Sequence, residues 1–516
     1  MEKERAGKSA LKPIYLTILL LAVALSLAAL GVYSYRNYAG GEMPLEISGN
    51  TIFVRAGGNF QAALNQAKAG DTILLQAGAT FSGSFNLPNK PGNEFITIRT
   101  SATDAQLPPA GVRIEPTKYA AVLPKLVSPT AEPVILAVGG AHHYRFVGVE
   151  FGATKGGANN IIQLGTSEEK NIADLPHHIE FDRVYIHGNR AEGQRRGIAA
   201  NGKFVRITNS YISDIKKAGD ESQAIAVWAT DGPVEIVNNY LEAAAENILF
   251  GGAGSFLKLV PTDCVVRDNF LNKPVEWRNA NWVVKNLFEI KNGRRIRVEN
   301  NLMTNNWGMA QDGTAILFTT RADNGNATVI EDIEFSGNIV RGSASAVNVL
   351  GYEGGGGRRL TIRNNVFADI NGEKWNGAGT FLKATAWDNL LVENNTILQG
   401  GNIATAYGDP VKNFVFRNNI VFENEYGFKG DSVNPGKPTF DKFFPRADVG
   451  YNAIIGGNAA LYYGKNMYPA SIRQIGFINP EAGDYRLRPD SPLQGKGFGG
   501  KQIGADLNPQ TVGAKS

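Results

Sequence analysis

The sequence has a single cysteine, Cys264, in 516 residues. No intramolecular disulfide can form, so a chain exported from the cytoplasm would have to draw its stability from packing or metal. Cys264 sits in an apolar strand with Val266, where a buried structural thiol is expected and a nucleophile is not. Charge is also scarce, at 19% of residues. Nucleic-acid binding needs Lys and Arg gathered on one face, and no such gathering exists. The formal net charge of +4 is mostly local. Lys3, Arg5, Lys8, Lys12 and Arg36 outweigh Glu2 and Glu4, which leaves the rest of the chain close to neutral.

Glycine, by contrast, is abundant at 60 residues, and Asn is frequent. Both accept the positive φ angles of tight turns, which suits many short strands better than long helices. The exception is residues 14–33, an almost wholly apolar run from Ile14 to Tyr33. About 20 such residues span a bilayer as a helix. Basic residues precede it, so residues 1–13 are expected to stay cytoplasmic while the remainder is translocated. The rival reading is a cleaved signal peptide, but the run is long and no clear A-x-A site follows. The expectation is a membrane-anchored chain whose bulk lies in the periplasm or at the cell surface, or is secreted if the segment is cut. Residues 34–48 then form a polar tether.

One pattern recurs: alternating apolar residues, an Asn pair, then more apolar residues. It reads Val205 to Tyr211, Val234 to Tyr240, Cys264 to Phe270, Ile296 to Leu302 and Ile333 to Ile339. It continues as Leu360 to Val366, Leu390 to Thr396 and Phe414 to Ile420, with a weaker copy at Ile179 to Tyr185. The second member of the pair falls at 184, 210, 239, 269, 301, 338, 365, 395 and 419, with spacings of 24 to 37. Such periods signal a solenoid, and the period of two makes the unit a strand. Stacked in register, the Asn side chains can bond one another and the turn backbone. A second set of apolar strands lies between the pairs, as in Ile162-Gln163-Leu164, Ile225-Ala226-Val227-Trp228, Ile248-Leu249-Phe250 and Phe288-Glu289-Ile290-Lys291. Its first and third residues point inward, and its second and fourth face a groove.

These Asn-pair strands resemble the repeats of the pectate-lyase-like parallel β-helix superfamily. The opening Phe60-Gln61-Ala62-Ala63-Leu64, Ala69-Gly70-Asp71-Thr72-Ile73 and Phe95-Ile96-Thr97-Ile98-Arg99 resemble its N-terminal cap. The resemblance is closest to bacterial exported β-helix repeat proteins and spans roughly residues 50 to 425. It implies an all-β fold: a right-handed, single-stranded parallel β-helix behind an N-terminal capping helix and the transmembrane helix. Residues 49–100 would hold the cap and first coils, residues 101–425 the remaining coils, and residues 426–516 an irregular C-terminal region.

The densest outward polar strand runs from Trp282 to Asn292. Period two puts Asn286, Phe288 and Ile290 on one side and Lys285, Glu289 and Lys291 on the other. Neighbouring coils, about 4.8 Å away, add Glu246 and Asn247, then Gln311, Asp312, Thr319 and Arg321, then Asn348 and Tyr352. This inventory suits β-elimination on a uronic-acid polysaccharide. Lys291 is the candidate base, provided that Arg294 or Arg295 crowds it and lowers its pKa. Arg321 would pair with the substrate carboxylate. With Glu289 these form the catalytic candidates. Lys285, Asn247, Arg294, Arg295, Asn348, Tyr352 and Trp228 are the candidate substrate contacts. Oxygen ligands for Ca²⁺ would come from Glu246, Asn247 and Glu289, with Asp312 joining Glu246 as a metal candidate. The superfamily's lyases use Lys or Arg bases and Ca²⁺, although their motifs do not map here residue by residue.

Three classes compete: a polysaccharide lyase, a non-catalytic carbohydrate-binding or structural envelope protein, and an inverting glycoside hydrolase. Hydrolysis needs two positioned acids, such as Glu289 with Asp312 or Glu246. The paired aspartates of polygalacturonases are missing, since no Asp-Asp occurs. His142-His143 and His177-His178 each precede an apolar strand and would stack at one corner. A turn stack is the preferred reading over a metal site, because no carboxylate or Cys recurs with ligand spacing. Most of the six tryptophans are expected to shield loops. Partners are therefore a polysaccharide and the membrane, with no nucleic acid, and the chain reads as a monomer.

Overall fold

The computed structural model describes residues 45–321 and 328–513. The basic segment, the apolar segment 14–33 and nearly all of the tether lie outside the described residues, and the expected anchor lies there with them. Among the described residues no helix is long and apolar enough to cross a membrane.

The chain winds through three long sheets of 15, 13 and 12 strands, and each turn adds one strand to each sheet. One turn runs Lys203–Thr208, Tyr211–Ile215 and Gln223–Val227, and Val234–Val237 then lies beside the first of these. Val205 pairs with Val234 and Ile207 with Ile236, parallel and in register. Crossovers between parallel strands wind right-handed as a rule. The inward Ile, Val and Phe side chains form one continuous core from Ile52 to Tyr462. Cys264 is buried in it, and burial pushes the thiol up to about 12.

The Asn pairs make the corner between the first and second sheets. The first member takes the left-handed conformation: Asn209, Asn238, Asp268, Asn300, Asn364, Asn394 and Asn418 have φ between 52° and 59°. Asn, Asp and Gly tolerate this region best, which is why those residues occupy the position. The second member turns inward and is fully buried. Asn239 donates to Asn269 Oδ1 through its backbone N at 2.9 Å and through Nδ2 at 3.0 Å. Asn269 Nδ2 in turn reaches Ile236 O at 2.8 Å. The same bonds repeat at Asn301, Asn338, Asn365, Asn395 and Asn419.

The column outlasts the repeat seen in the sequence, passing from Asn419 to Asn452 and then Asn466. A further turn of strands, Phe428–Gly430, Asp448–Gly450 and Ala453–Ile455, therefore lies within the region expected to be irregular. Both ends of the solenoid are covered. Helix α1, Phe60–Gln66, buries Phe60, Ala63 and Leu64 at the first coils, and its N-cap Asn59 accepts from Ala62 N at 2.8 Å. Helix α2, Lys437–Phe443, buries Phe440 and Phe443 at the far end. Covering the ends removes exposed edges that would otherwise invite further pairing.

Two smaller expectations are met. Trp277, Trp307 and Trp375 are buried in a satellite cluster with Trp282 packed against it. The four histidines stack at one corner, His142 on His177 and His143 on His178.

Candidate functional site

The groove lies on the outer face of the third sheet. Its floor follows the row Leu249, Glu289, Leu317, Asn348 and Lys383, paired in register across five coils. Over the middle of this row opens a cavity of about 290 Å³, lined among others by Glu289, Lys291, Lys285, Asp312, Arg321 and Asn348. The strand Asn286–Ile290 places the key groups. Phe288 and Ile290 point into the core, which turns Glu289 and Lys291 outward. Strict alternation fails one residue earlier. Leu287 also enters the core, because the chain bends there, and Asn286 is turned toward the groove side instead of inward as expected. Its Nδ2 donates to Glu289 Oε2 at 3.0 Å.

A polar chain supports the site from below. Arg196 bonds Asn160 Oδ1 at 3.1 Å and Gln223 Oε1 at 2.6 Å. Gln223 donates to Glu246 Oε2 at 2.8 Å, and Glu246 Oε1 lies 3.0 Å from Lys285 Nζ. Lys285 is also paired with Glu221. Burial alone would pull the Lys285 ammonium down, but Glu246 and Glu221 more than reverse this and hold it above the usual lysine range. Burial raises the Glu289 carboxyl, with Lys291 opposing. Lys291 Nζ stands 3.9 Å from Glu289 Oε1. Gly252, with φ of +80°, leaves room for it: a β-carbon there would sit 3.4 Å from Nζ and 3.1 Å from Cδ.

Arg321 joins from the next coil, its backbone N donating to Lys291 O at 3.3 Å. It is exposed, and its guanidinium has no ion-pair partner among the described residues. Thr319 Oγ1 and Asn348 Oδ1, in the cavity wall, are buried without a hydrogen-bond partner among the described residues. Such groups cost free energy unless a polar ligand or water reaches them.

The structure thus gathers Lys285, Glu289, Lys291, Asp312, Arg321 and Asn348 as the sequence suggested. The other candidates lie elsewhere. Asn247 is fully buried inside the solenoid, where Nδ2 donates to Leu241 O and Asn272 O. The same bend that turns Glu246 outward turns Asn247 inward. Arg294 and Arg295 fall after the Asn292-Gly293 turn, on the first sheet, and pair with Glu331 and Asp263. They therefore do not crowd Lys291. Tyr352 is 59% exposed and outside the cavity. Trp228 is two coils away on the groove face, under Arg196 and bonded to Ser167 Oγ at 2.6 Å.

Two cavity-side charges escaped the sequence reading. Glu221 comes from an irregular loop, with no periodicity to mark it. Lys383 stands between the buried Leu382 and Ala384, whose alternation does mark a strand, and it reaches Asp312 Oδ2 at 3.1 Å. Lys273, at the second sheet, is fully buried. Its Nζ donates to Ala243 O, Ala244 O, Ala245 O and Asn247 Oδ1 at 2.9 to 3.1 Å, bracing the bend under Glu246.

The residues proposed for Ca²⁺ do not fit the ion. Calcium needs six or more converging oxygens. Glu246 is sealed against Lys285, Glu289 faces Lys291, Asp312 faces Lys383, and Asn247 points the other way. Each carboxylate already meets an ammonium.

No family model matches the chain, and no curated protein matches its sequence. Solved structures do resemble it. The PL6 family alginate lyase AlyGC aligns with a TM-score of 0.50 at 16% identity, over 90% of this chain and 58% of its own. The chain therefore spans less than two thirds of that neighbour's length. The PL6 family polysaccharide lyase Pedsa3628 from Pseudopedobacter saltans aligns at 0.39 and 14%, over 90% of this chain and 99% of its own. The Dettilon tailspike protein aligns at 0.35 and 12%, over 82% and 69%. What the chain shares with AlyGC is the fold, long parallel sheets wound into a β-helix.

Proposed function

We propose that the chain cleaves a uronate-containing polysaccharide by β-elimination in the groove of the third sheet, outside the cytoplasm. The observation that carries this reading is Lys291 and Arg321 lining one polar cavity, with no ion-pair partner for the Arg321 guanidinium among the described residues. Arg321 would pair with the uronate carboxylate and favour the charge that builds on it as the C5 proton leaves. Lys291 Nζ, in its neutral form, takes that proton, with Arg321 in place of Arg294 and Arg295 as the neighbouring cation. The C5–H electron pair becomes the C4=C5 double bond, the C4–O4 bond breaks, and the leaving oxygen recovers the proton from Lys291. Glu289, anchored by Asn286, holds Nζ in place. Hydrolysis is less well supplied, because Glu246 is sealed and Asp312 faces Lys383.

The groove is long and open, which suits an extended chain, and a fold neighbour is an alginate lyase. Alginate therefore heads the test panel, followed by other uronate polymers. The expected result is ultraviolet-absorbing unsaturated ends. Reducing ends without that absorbance would make the chain a hydrolase, and binding without any product would make it a carbohydrate-binding protein.

A further inference from the structure

The groove does not end at the catalytic cavity. Its floor row continues through Asn348, Lys383, Thr405 and Lys429, paired in register from coil to coil. Lys429 lies on Phe428–Gly430, the strand at the edge of the third sheet. Leu382, Ala384, Ala404, Ala406 and Phe428 beside these residues fill the core, which turns Lys383, Thr405 and Lys429 outward. The row alternates in kind. Asn348 and Thr405 are neutral and hydrogen-bonding, whereas Lys383 and Lys429 are cations. Arg321 keeps the same beat, because it follows Leu317 on a coil two before that of Lys383. Cations therefore stand on every second coil from Arg321 to the sheet's edge. In the other direction the row reads Leu249, Ala226, Ala199 and Gln163, with no charge.

Neither lysine is locked. Lys383 Nζ is 3.1 Å from Asp312 Oδ2, but the two side chains are 39% and 71% exposed, and such a pair holds weakly against an incoming carboxylate. Lys429 has no ion-pair partner among the described residues. Tyrosine rings attend both, with Tyr407 centred 5.6 Å from Lys383 Nζ and Tyr426 centred 4.9 Å from Lys429 Nζ. A cation–π contact steadies an ammonium without neutralising it.

Successive coils rise about 4.8 Å, close to the length of one sugar in an extended polysaccharide. One coil then serves one sugar, and cations on alternate coils serve alternate sugars. We propose that this half of the groove binds an acidic polysaccharide with a two-sugar repeat, one sugar carrying a carboxylate and the next neutral. The carboxylates meet Arg321, Lys383 and Lys429, at steps of about 10 Å along the groove. The neutral sugars set hydroxyl or amide groups against Asn348 and Thr405. Asn348 Oδ1, buried without a hydrogen-bond partner among the described residues, is an acceptor for such a group. A chain charged on every sugar gains nothing from its extra carboxylates, because no cation faces them. The frame is set by Arg321, so this inference rests on the elimination reading and adds the repeat that the substrate carries.

The test compares two oligosaccharides of equal length, each reaching from Arg321 to Lys429. One is a hyaluronan fragment, which alternates glucuronate with N-acetylglucosamine. The other is a polymannuronate fragment, charged on every sugar. Binding is measured by calorimetry at low salt on the purified full chain carrying Lys291→Ala, which keeps the ligands uncut. The hyaluronan fragment should bind at least as tightly, despite its fewer carboxylates. Adding Lys429→Met should weaken it about 5-fold, the upper range for an exposed ion pair. Adding Thr405→Lys should tighten polymannuronate by a similar factor and leave hyaluronan unchanged. Tighter binding of polymannuronate before these additions, no effect of Lys429→Met, or an equal effect of Thr405→Lys on both ligands would each overturn the proposal. Unsaturated ends are read separately on the parent. If they form while the binding results fail, elimination stands and the repeat falls. If binding behaves as expected and no ends form, the repeat stands and elimination falls. A chain that binds neither fragment overturns both.

Discussion

Lys291, in the groove, and Lys273, buried behind its wall, have opposite surroundings. Lys291 keeps an open face beside Arg321, so its removal should touch chemistry and little else. Lys291→Ala is expected to lower the elimination rate by about 10² to 10⁴, the usual worth of a general base, while binding persists. Stopped assays of unsaturated product, paired with a binding isotherm, check this. Arg321→Ala should instead weaken both binding and rate, since a carboxylate contact serves both. Lys273 is sealed, and burial pulls its ammonium down to about 7, opposed by the Glu246 carboxylate. An unfolded lysine keeps its proton to about 10.5. Between those values the unfolded chain binds more protons than the folded one, so stability rises with pH through that window. Below about 7 both states are protonated and the slope vanishes. Denaturant midpoints of the parent against Lys273→Met across this range should show the parent gaining on the variant as pH rises. A parent that loses ground instead would mean that the four oxygens around Nζ hold its proton above the unfolded value of about 10.5.

The corner column shows what an element can reveal before its coordinates are known. Asn338 Oδ1 accepts from Asn301 twice, and its Nδ2 reaches Val298 O at 2.9 Å. Asn338→Ala strands these buried groups and should cost about 1 to 3 kcal/mol, the penalty for unsatisfied buried polar groups. Its neighbour Gly337 has φ of +69°, so Gly337→Val should also destabilise, through backbone strain in place of lost bonds. Urea unfolding of the two variants checks both. The Asn pairs were legible because each coil must solve the same corner, so the same residues recur at the same place in the strand. The groove was legible only in part. Lys285, Glu289 and Lys291 followed from alternation, but Asn247 and Asn286 did not. A bend lets two consecutive residues point inward, Leu287 with Phe288 and Asn247 with Ile248, and no period of two can express that. Arg294 and Arg295 were misplaced because the Asn292-Gly293 turn moves the chain to another sheet within two residues. Glu221 was missed because a loop delivers it. Tyr451-Asn452 continues the column but lacks the Asn pair, which hid the last coil.

A solenoid is nearly one-dimensional: each coil touches its neighbours, and stability should propagate only locally. This molecule departs from that at its Asn corner. The C-terminal segment runs back along the column, against the direction of winding. Phe498 N donates to Asn418 Oδ1 at 2.7 Å, Asp506 N to Asn364 Oδ1 at 2.8 Å, and Gly513 N to Asn300 O at 3.1 Å. Ile503, Ala505 and Val512 are buried beneath it. At its end Gly513 O accepts from Arg113, which also holds Asn238 O and Asp268 O at 3.1 to 3.2 Å. Burial pulls this guanidinium down to about 10, yet three backbone oxygens still use its donors. Coils from Asn238 to Asn418 are thereby tied by contacts that skip their immediate neighbours. Removing residues 497–516 should do more than lower the melting temperature. Buried apolar side chains are each worth about 1.5 to 3 kcal/mol, so the loss should shift the urea midpoint. Losing the long ties should also broaden the transition, because coils released from one another unfold in stages and the apparent slope falls. Elimination activity should persist under native conditions, since the groove lies on a different sheet from the strap. A truncated chain with a lower midpoint but an unchanged slope would show that the strap only adds buried surface and that the coils are cooperative without it.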